Sequence, residues 1–290
     1  MKVSGFTFLR NGQKLGYPFV ESIRSILPIV DEMVVALGPC DDLTEPMLEK
    51  IGDPKLRIIH TTWNEHMDNT RRPRGFVLAS QKSIAQYNCT GDWAFYLEAD
   101  EVLHENDLPK IQESMRRHLD DARVEALVFD YLHFYGNQNT YAWSPRWYRT
   151  APRIIRNNLP CFSPDALFFI VLEDHKRGRY PRAAHTGATI YHYGWVRSEE
   201  QMNMKRLGIE KYFATKAKRC DYAEIDPSTL RLFTGMHPKV VQGWLPPATG
   251  LFQANPAHQL TRREKKHRLM LKVEGWFGVK LGKKNYRLVQ

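Results

Sequence analysis

The first 120 residues alternate short apolar runs with segments of helical periodicity, and this alternation restricts the fold more than any other feature. The apolar runs are KVSGFTFL, DEMVVALG, KLRIIHTTW and DWAFYLEAD. Between and after them, the spacing of apolar residues predicts helices over 17–30, 41–52, 75–88 and 105–121. Alternating strands and helices predict a largely parallel sheet with right-handed crossovers and helices on its faces.

Polar side chains follow each of the four predicted strands, at the edge where open α/β sheets bind ligands. These residues are Arg10 and Asn11, then Asp41 and Asp42, then Asn64 and Glu65, and finally Glu98, Asp100 and Glu101. The sequence therefore predicts one ligand-binding edge built from four loops.

The fourth strand delivers a group of carboxylates to this edge, in the segment LEADE. In extended backbone Glu98 and Asp100 point to the same side, and crowded carboxylates repel one another unless positive charge compensates them. Mg²⁺ or Mn²⁺ would supply that charge, because both prefer oxygen ligands. The alternative is that these acids cap the helix beginning near Glu105, since anions stabilise a helix N-terminus. Asp41 has the same two interpretations, as a nucleoside contact or as part of a helix cap.

The second half of the chain has a different character. Aromatic runs over 124–136 and 187–198, and alternating arginine over 146–157, predict further strands. From residue 198 onwards the pattern is helical, proline-rich and basic, so we predict a domain over 1–197 and a helical, basic extension over 198–290 that packs on it.

The order of several segments resembles the inverting family 2 glycosyltransferases, which have the GT-A fold. The matching segments are SGFTFLRNG, ESIRSILPIVDEMVVALGPCDDLT, DPKLRIIHT, LASQKSIA, GDWAFYLEADEVLHE, FDYLHFYG and IYHYGWVR. They span about residues 3–197 and are closest to a bacterial branch with a QADE-type metal motif. The resemblance implies a Rossmann-like, mostly parallel sheet, a nucleotide-diphospho-sugar donor, and Mn²⁺ or Mg²⁺ as cofactor.

The resemblance also assigns expected roles to individual residues. It places Asp100 at the position of the metal-binding aspartate. Glu98 replaces the first residue of that motif and is expected to bind the ribose or a water molecule held by the metal. Arg10 and Asn11 border the nucleoside in this scheme, and Asp41 contacts the nucleobase. The resemblance further implies that Glu65 presents an acid to the base and that Lys82 lies on a helix facing the donor.

A carboxylate that deprotonates the acceptor hydroxyl is expected in the second half of the chain. Asp165 is the first candidate, because its segment DALFF is similar to a DAxxF-like segment of the family. Asp174 and Glu173 are the other candidates, and ordinary loop polarity is the alternative for all three.

Two further residues, His192 and Arg72, each have both a binding and a structural interpretation. His192 lies in an aromatic strand, where it either packs in the core or binds a metal or diphosphate. Arg72, within TRRPRG, either clamps the diphosphate or belongs to a solvated basic loop.

The formal charge of +10 allows anionic partners of several kinds. The sequence lacks a recognisable nucleic-acid-binding module, so we expect no nucleic-acid partner. A sugar-phosphate nucleotidyltransferase is the alternative enzyme class, but the loop FLRNGQKLG lacks the glycine-rich pattern of that class. We expect the acceptor to be a glycan or a lipid-linked molecule, as part of a bacterial surface polysaccharide or glycolipid. We expect the protein to be cytoplasmic.

The C-terminal segment combines basic residues with GWFGVKLG. This composition favours peripheral contact with the inner face of an anionic membrane. The alternative is a C-terminal helix that docks on the domain and exposes a solvated face.

Overall fold

A computed structural model describes residues 1–68, 70, 74–214, 216, 218–247 and 250–289. The strands are β1 (Val3–Leu9), β2 (Glu32–Leu37), β3 (Leu56–His60), β4 (Trp93–Tyr96), β5 (Glu101–Leu103), β6 (Ala126–Tyr135), β7 (Asn137–Ala142), β8 (Thr150–Arg156), β9 (Cys161–Phe162), β10 (Ile170–Leu172), β11 (Gly178–Arg179), β12 (Arg182–Trp195), β13 (Leu230–Leu232) and β14 (Arg287–Leu288). The helices are α1 (Phe19–Ile26), α2 (Thr44–Glu49), α3 (Phe76–Tyr87), α4 (Leu108–Arg117), α5 (Glu199–Phe213) and α6 (Arg262–Phe277).

The central sheet has the order β13-β7-β6-β8-β4-β1-β2-β3, and β12 pairs with β6, β5 and β14. Strands β3, β2, β1 and β4 run parallel to one another. Strand β8 is antiparallel to both β4 and β6, and β12 is parallel to β6. The carboxyl ends of β1 to β4 therefore meet at one edge, as the sequence predicted.

Alternating side chains of the strands pack on the two faces of the sheet. On one face Val35, Phe95 and Ile154 join α1 in one core cluster. On the other face Val34 and Tyr96 belong to a second cluster. All five of these side chains are essentially inaccessible to solvent, so the sheet is covered on both sides, as helix-flanked sheets require.

The fourth strand ends earlier than the sequence predicts. Strand β4 stops at Tyr96, and residues 97–100 form a turn in which the Glu101 N–H donates to the Glu98 carbonyl at 2.9 Å. The predicted extended geometry of Glu98 and Asp100 is therefore wrong. Helix α1 supports this turn, because Ser22 Oγ donates to the Glu98 carbonyl at 3.0 Å.

The residues after 197 pack against the rest of the chain through both helices and strands. Strand β13 pairs with β7, and β14 pairs with β12. Helix α6 is joined to the sheet by an ion pair of 2.5 Å between Glu274 and Arg149. The division at residue 197 stays a prediction. Across the described part of the chain, every helix is too short or too polar to cross a bilayer.

Glu125, which is 3% exposed, joins the start of β6 to β11 and β12. It accepts hydrogen bonds of 2.7 Å from Arg179 and of 2.8 Å from the Arg182 N–H. Burial alone would raise the pKa of Glu125, but the hydrogen bonds from Arg179 and Arg182 lower it to about 2.

We expect Glu125→Gln to make stability less dependent on acid pH. Because the folded-state pKa lies below the ordinary value of 4.5, the stabilisation is present above pH 4.5 and is lost as the pH falls toward 2. By linkage it amounts to about 3 kcal/mol at neutral pH. Urea unfolding between pH 7 and pH 3 measures it. The control is Glu113→Gln, which removes an exposed ion pair, and equal pH slopes in the two variants would contradict the prediction.

Candidate active site

A cavity of about 610 Å³ opens at the edge where β1 and β4 end. Its walls are formed by residues within 8–17, Trp63, residues within 96–100, the segment 165–167, and residues within 204–213 of α5. The cavity therefore lies where the sequence predicts a ligand site, but α5 closes one of its sides.

Asp100 lies in the turn after β4 and is 2% exposed. Its Oδ2 accepts from Arg197 Nη2 at 2.9 Å and from Lys205 Nζ at 3.2 Å, and its Oδ1 is 3.6 Å from His192 Nε2. Burial alone would raise the pKa of Asp100, but the charges of Lys205 and Arg197 and the hydrogen bond from Lys205 lower it below its ordinary range. Asp100 is therefore an ionised carboxylate that ties α5 to the turn.

Arg153 is fully buried and lies between Glu98 and Glu101. It donates to both oxygens of Glu101, at 2.6 and 2.9 Å, and to Glu98 Oε1 at 2.8 Å. Glu101 also accepts from the Tyr131 hydroxyl at 2.9 Å. Burial and the charge of Glu101 raise the pKa of Glu98 to about 8, against the opposing effect of Arg153. Glu101 is thus a structural carboxylate, whereas Glu98 and Asp100 line the cavity.

A chain of hydrogen bonds orients His192. His133 Nε2 lies 2.6 Å from the Tyr148 carbonyl, and the Nδ1 atoms of His133 and His192 are 3.0 Å apart. Burial lowers the pKa of both imidazoles, so both are neutral at pH 7. Because a carbonyl only accepts, His133 carries its proton on Nε2 and accepts at Nδ1 from His192. His192 therefore has its lone pair on Nε2, the ring nitrogen that faces Asp100.

Glu98, Asp100 and His192 are placed so that each offers one ligand atom, all within 4.8 Å of one another. Two carboxylates and a neutral imidazole suit Mn²⁺, and the carboxylates also suit Mg²⁺. Gly194 keeps the neighbouring space open, because a Cβ there would lie 2.6 Å from His192 Nε2 and 3.0 Å from Asp100 Oδ2. The residues present therefore fit a divalent cation.

Glu65 connects the loop after β3 to the loop after β1 and to α5. It accepts from Arg10 Nη1 at 2.6 Å and from the Tyr212 hydroxyl at 2.9 Å, and it pairs with Lys211. Burial alone would raise the pKa of Glu65, but hydrogen bonds from Lys211, Arg10 and Tyr212 lower it to about 2. Helix α5 is thus held at both ends of the cavity, by Asp100 and by Glu65.

The structure places four more predicted residues at or beside the cavity. Arg10, Asn11 and Asp165 line it, and Asp165 Oδ1 accepts from the Leu167 N–H at 3.1 Å. Lys82 lies behind the wall, where its Nζ donates to the Ala166 carbonyl at 3.1 Å and sits 4.0 Å from the centre of the Tyr96 ring. Lys82 therefore supports the segment bearing Asp165 and lies outside the cavity lining, although Leu78 of the same helix belongs to that lining.

Other predicted residues lie away from the cavity lining. Asp41 is largely exposed and pairs with Lys14, which does line the cavity. Asp174 pairs with Arg177 and Glu173 with Arg179, on the turn between β10 and β11. Both carboxylates are thus paired with arginine and lie outside the cavity lining. Arg72 lies outside the described residues.

Several cavity residues were not predicted from sequence. These are Tyr17, Trp63, Lys205, Lys211 and Tyr212. The cations of Arg197 and Lys205 lie 4.1 and 4.7 Å from the centre of the Tyr17 ring. Trp63 directly precedes the predicted Asn64 and Glu65, which is a signal that could have identified it. For α5, helical periodicity predicts a helix but does not show that one side of it lines a cavity.

Comparison with known proteins identifies the family. The profile of Glycosyl transferase family 2 matches residues 11–171, more than half of the chain. The chain therefore belongs to glycosyl transferase family 2 and has the predicted GT-A fold. This decides against the alternative nucleotidyltransferase. A search of the curated proteins found no match.

Solved structures of glycosyltransferases are also similar. TarS 1–349 from S. aureus is 13% identical, with 77% of this chain and 69% of that chain covered and a TM-score of 0.42. Glucosyl-3-phosphoglycerate synthase from Mycobacterium tuberculosis, in complex with Mn²⁺, UDP and phosphoglyceric acid, is 20% identical with a TM-score of 0.32. That alignment covers 45% of this chain and 43%, less than half, of the synthase.

We expect Arg153→Met to destabilise the fold by about 3–5 kcal/mol, because it leaves the buried carboxylate of Glu101 without its cation. Urea unfolding at pH 7 measures the loss. The control is Arg177→Met, which removes an exposed pair with Asp174 and should change stability by less than about 0.5 kcal/mol. Equal effects of the two substitutions would show that Arg153 does not hold the turn.

Proposed function

We propose that this glycosyltransferase transfers a sugar from a nucleotide-diphospho-sugar to a hydroxyl of a bacterial surface glycan or glycolipid, with inversion and with a divalent cation. The observation that carries the proposal is the group Glu98, Asp100 and His192 beside the 610 Å³ cavity. The cavity joins carboxylates to cationic and aromatic side chains, which are the groups that bind diphosphates and nucleobases.

The residues around the cavity suggest where the nucleoside and the diphosphate of the donor bind. Trp63 and Asn11, from the loops after β3 and β1, offer a ring for stacking and an amide for hydrogen bonding. Lys205 and Lys211, from α5, offer positive charge to the diphosphate. We propose that the nucleoside binds near Trp63 and the diphosphate between α5 and Asp100.

The charges at the turn support a role for a cation. The carboxyl groups of Glu98, Asp100 and Glu101 face the three cations Arg153, Arg197 and Lys205. Because Glu98 largely keeps its proton at neutral pH, the turn has at most about one positive charge in excess. A bound diphosphate adds negative charge that these residues do not balance. Glu98, Asp100 and His192 would hold Mn²⁺ or Mg²⁺, which supplies positive charge to the departing diphosphate.

Asp165 is the carboxylate we propose as general base. It lines the cavity on a segment separate from the carboxylates at 98–101, so it can accept the proton of an acceptor hydroxyl. The acceptor oxygen then forms a bond to the anomeric carbon as the bond from that carbon to the diphosphate breaks, and the proton ends on Asp165. Direct displacement of this kind inverts the anomeric configuration.

The donor is tested by incubating the protein with UDP-, GDP- and dTDP-sugars in the presence of Mn²⁺. Slow release of a nucleoside diphosphate from one donor supports the proposal, and the anomer formed, read by NMR, tests inversion. Turnover that depends on pyrophosphate would contradict it, and so would the absence of binding by every donor.

The cation site is tested by Gly194→Ala, which fills the space beside His192 and Asp100 without removing a ligand. We expect Mn²⁺ affinity to fall at least about 10-fold and metal-dependent donor binding to fall with it, as measured by calorimetry. Asp100→Asn removes a ligand charge and should have the same effect. Because it also leaves the buried Arg197 without its anion, Mn²⁺ binding is measured at a temperature where circular dichroism shows the variant folded. The control is Gly243→Ala, where an added Cβ meets open space. Unchanged Mn²⁺ binding by both site variants would remove the metal assignment.

For the base, Asp165→Asn should leave the dissociation constant of the donor unchanged. We expect sugar transfer, including transfer to water, to slow by about 10²–10⁴-fold, because the hydroxyl then keeps its proton. Nucleoside diphosphate release measures the rate. Asp174→Asn is the control, because Asp174 lies outside the cavity. Full activity of Asp165→Asn would exclude Asp165 as the base.

A further inference from the structure

The end of α6 and the turn after it expose a group of apolar side chains. Trp276 is 74% exposed, Phe277 71% and Val279 46%, and every residue from 275 to 280 is exposed. Leu269, two turns earlier on α6, is 59% exposed. Contiguous exposed aromatic and aliphatic side chains mark interaction surfaces on proteins. We name residues 269–284 the C-terminal surface.

This surface is strongly basic on its solvent side. The segment 261–287 contains ten lysine and arginine residues but only two acidic residues, Glu264 and Glu274. Both glutamates are withdrawn from solvent, because Glu264 caps α6 and Glu274 pairs with Arg149. The exposed charged side chains of the C-terminal surface itself are Lys272, Lys280, Lys283 and Lys284. Lys280 Nζ lies 3.8 Å from Asp130 Oδ1 of β6.

A basic groove of about 710 Å³ adjoins the apolar residues. Lys272 and Lys280 line it together with Arg231, and Trp143 forms part of the groove. Among the residues that the structure describes, no carboxylate lies within ion-pair distance of Arg231 or Lys272. The groove thus offers free cations to an anionic group next to the exposed rings.

The C-terminal surface is held in place by contacts with the sheet. Arg149 donates to Glu274 Oε2 at 2.8 Å and also to the Leu281 carbonyl, and the Leu281 N–H donates to Glu274 Oε1 at 2.6 Å. Arg268 forms two hydrogen bonds of 2.7 Å with Asp226. Trp276 and Phe277 therefore project from a fixed helix end.

The surface lies at the same edge of the sheet as the candidate active site. Strand β8 is antiparallel to β4, so the residue before β8, Arg149, lies at the edge where β4 ends in the turn bearing Asp100. Tyr148, next to Arg149, accepts the hydrogen bond of His133 in the chain that orients His192. A partner that covers the surface would therefore lie beside the edge where the cavity opens.

We propose that the C-terminal surface binds an anionic phospholipid bilayer, with Trp276, Phe277 and Val279 among the acyl chains near the headgroups and the surrounding cations on lipid phosphates. Exposed tryptophan and phenylalanine beside lysine are typical of protein surfaces that bind anionic membranes. The inference goes beyond the proposed function, because it does not depend on the chemistry of the cavity. It would bring the active site to acceptors carried on lipid.

A nucleic acid is the other polyanion that such charge could bind. Phosphate contacts alone account for the cations, but they leave the aliphatic exposure of Leu269 and Val279 without a role. A bilayer accounts for both the charge and the apolar side chains.

The test is co-sedimentation of the full chain with vesicles of phosphatidylcholine, with and without about 30% phosphatidylglycerol. We expect binding to be at least about 10-fold tighter with the anionic lipid and to weaken with salt. Trp276→Ser combined with Phe277→Ser should lower affinity at least about 10-fold at every salt concentration. Lys280→Gln, Lys283→Gln and Lys284→Gln together should lower it by roughly 100-fold at low salt.

The control is Met236→Ser, which removes another apolar side chain that is 71% exposed and should leave vesicle binding unchanged. Donor hydrolysis by the serine double variant should match the wild type, so that loss of vesicle binding is separate from loss of catalysis. Failure of the wild type to bind anionic vesicles would overturn the proposal. Vesicle binding that the double variant retains in full would also overturn it, as would tight duplex DNA binding without vesicle binding.

Discussion

The structure depends on a balance of buried charge at the turn that follows the fourth strand. Glu98, Asp100 and Glu101 lie within four residues of one another, and Arg153 is fully buried against two of them. Buried carboxylates without cations would carry a large desolvation penalty. Each cation comes from a distant part of the chain, so satisfying the charges also joins β8 and α5 to the turn.

The candidate active site is consequently built from both halves of the sequence. The turn after β4 supplies Asp100, and α5 supplies Lys205, which lies 105 positions later and donates to the same carboxylate. At the other end of the cavity Glu65 binds Tyr212 of α5. The segment after residue 197 therefore forms a wall of the cavity, in addition to packing on the sheet. A ligand that binds Asp100 or Glu65 would change the contacts that hold α5.

Much of the first half could be predicted because its signals are local. Apolar runs and helical periodicity placed strands β1 to β3 and helix α3 in the correct order, and the rule for the carboxyl ends of parallel strands led to the correct edge. The extended geometry of Glu98 and Asp100 was wrong, because apolar residues continue to Leu97 although the strand stops at Tyr96. An apolar residue in a turn looks the same in sequence as one in a strand. The sequence likewise did not show that Lys82 lies behind the cavity lining, since periodicity does not distinguish a cavity wall from the layer behind it.

The sequence by itself determined the class of fold, the family, and the edge of the sheet at which a ligand would bind. Only the tertiary structure decided that His192 approaches Asp100, that Arg153 binds both Glu98 and Glu101, and that α5 closes the cavity. The physical reason is that strand and helix patterns arise from neighbouring residues, whereas charge compensation and cavity shape arise from residues as many as 147 positions apart. Such pairs leave no periodic signal in a single chain.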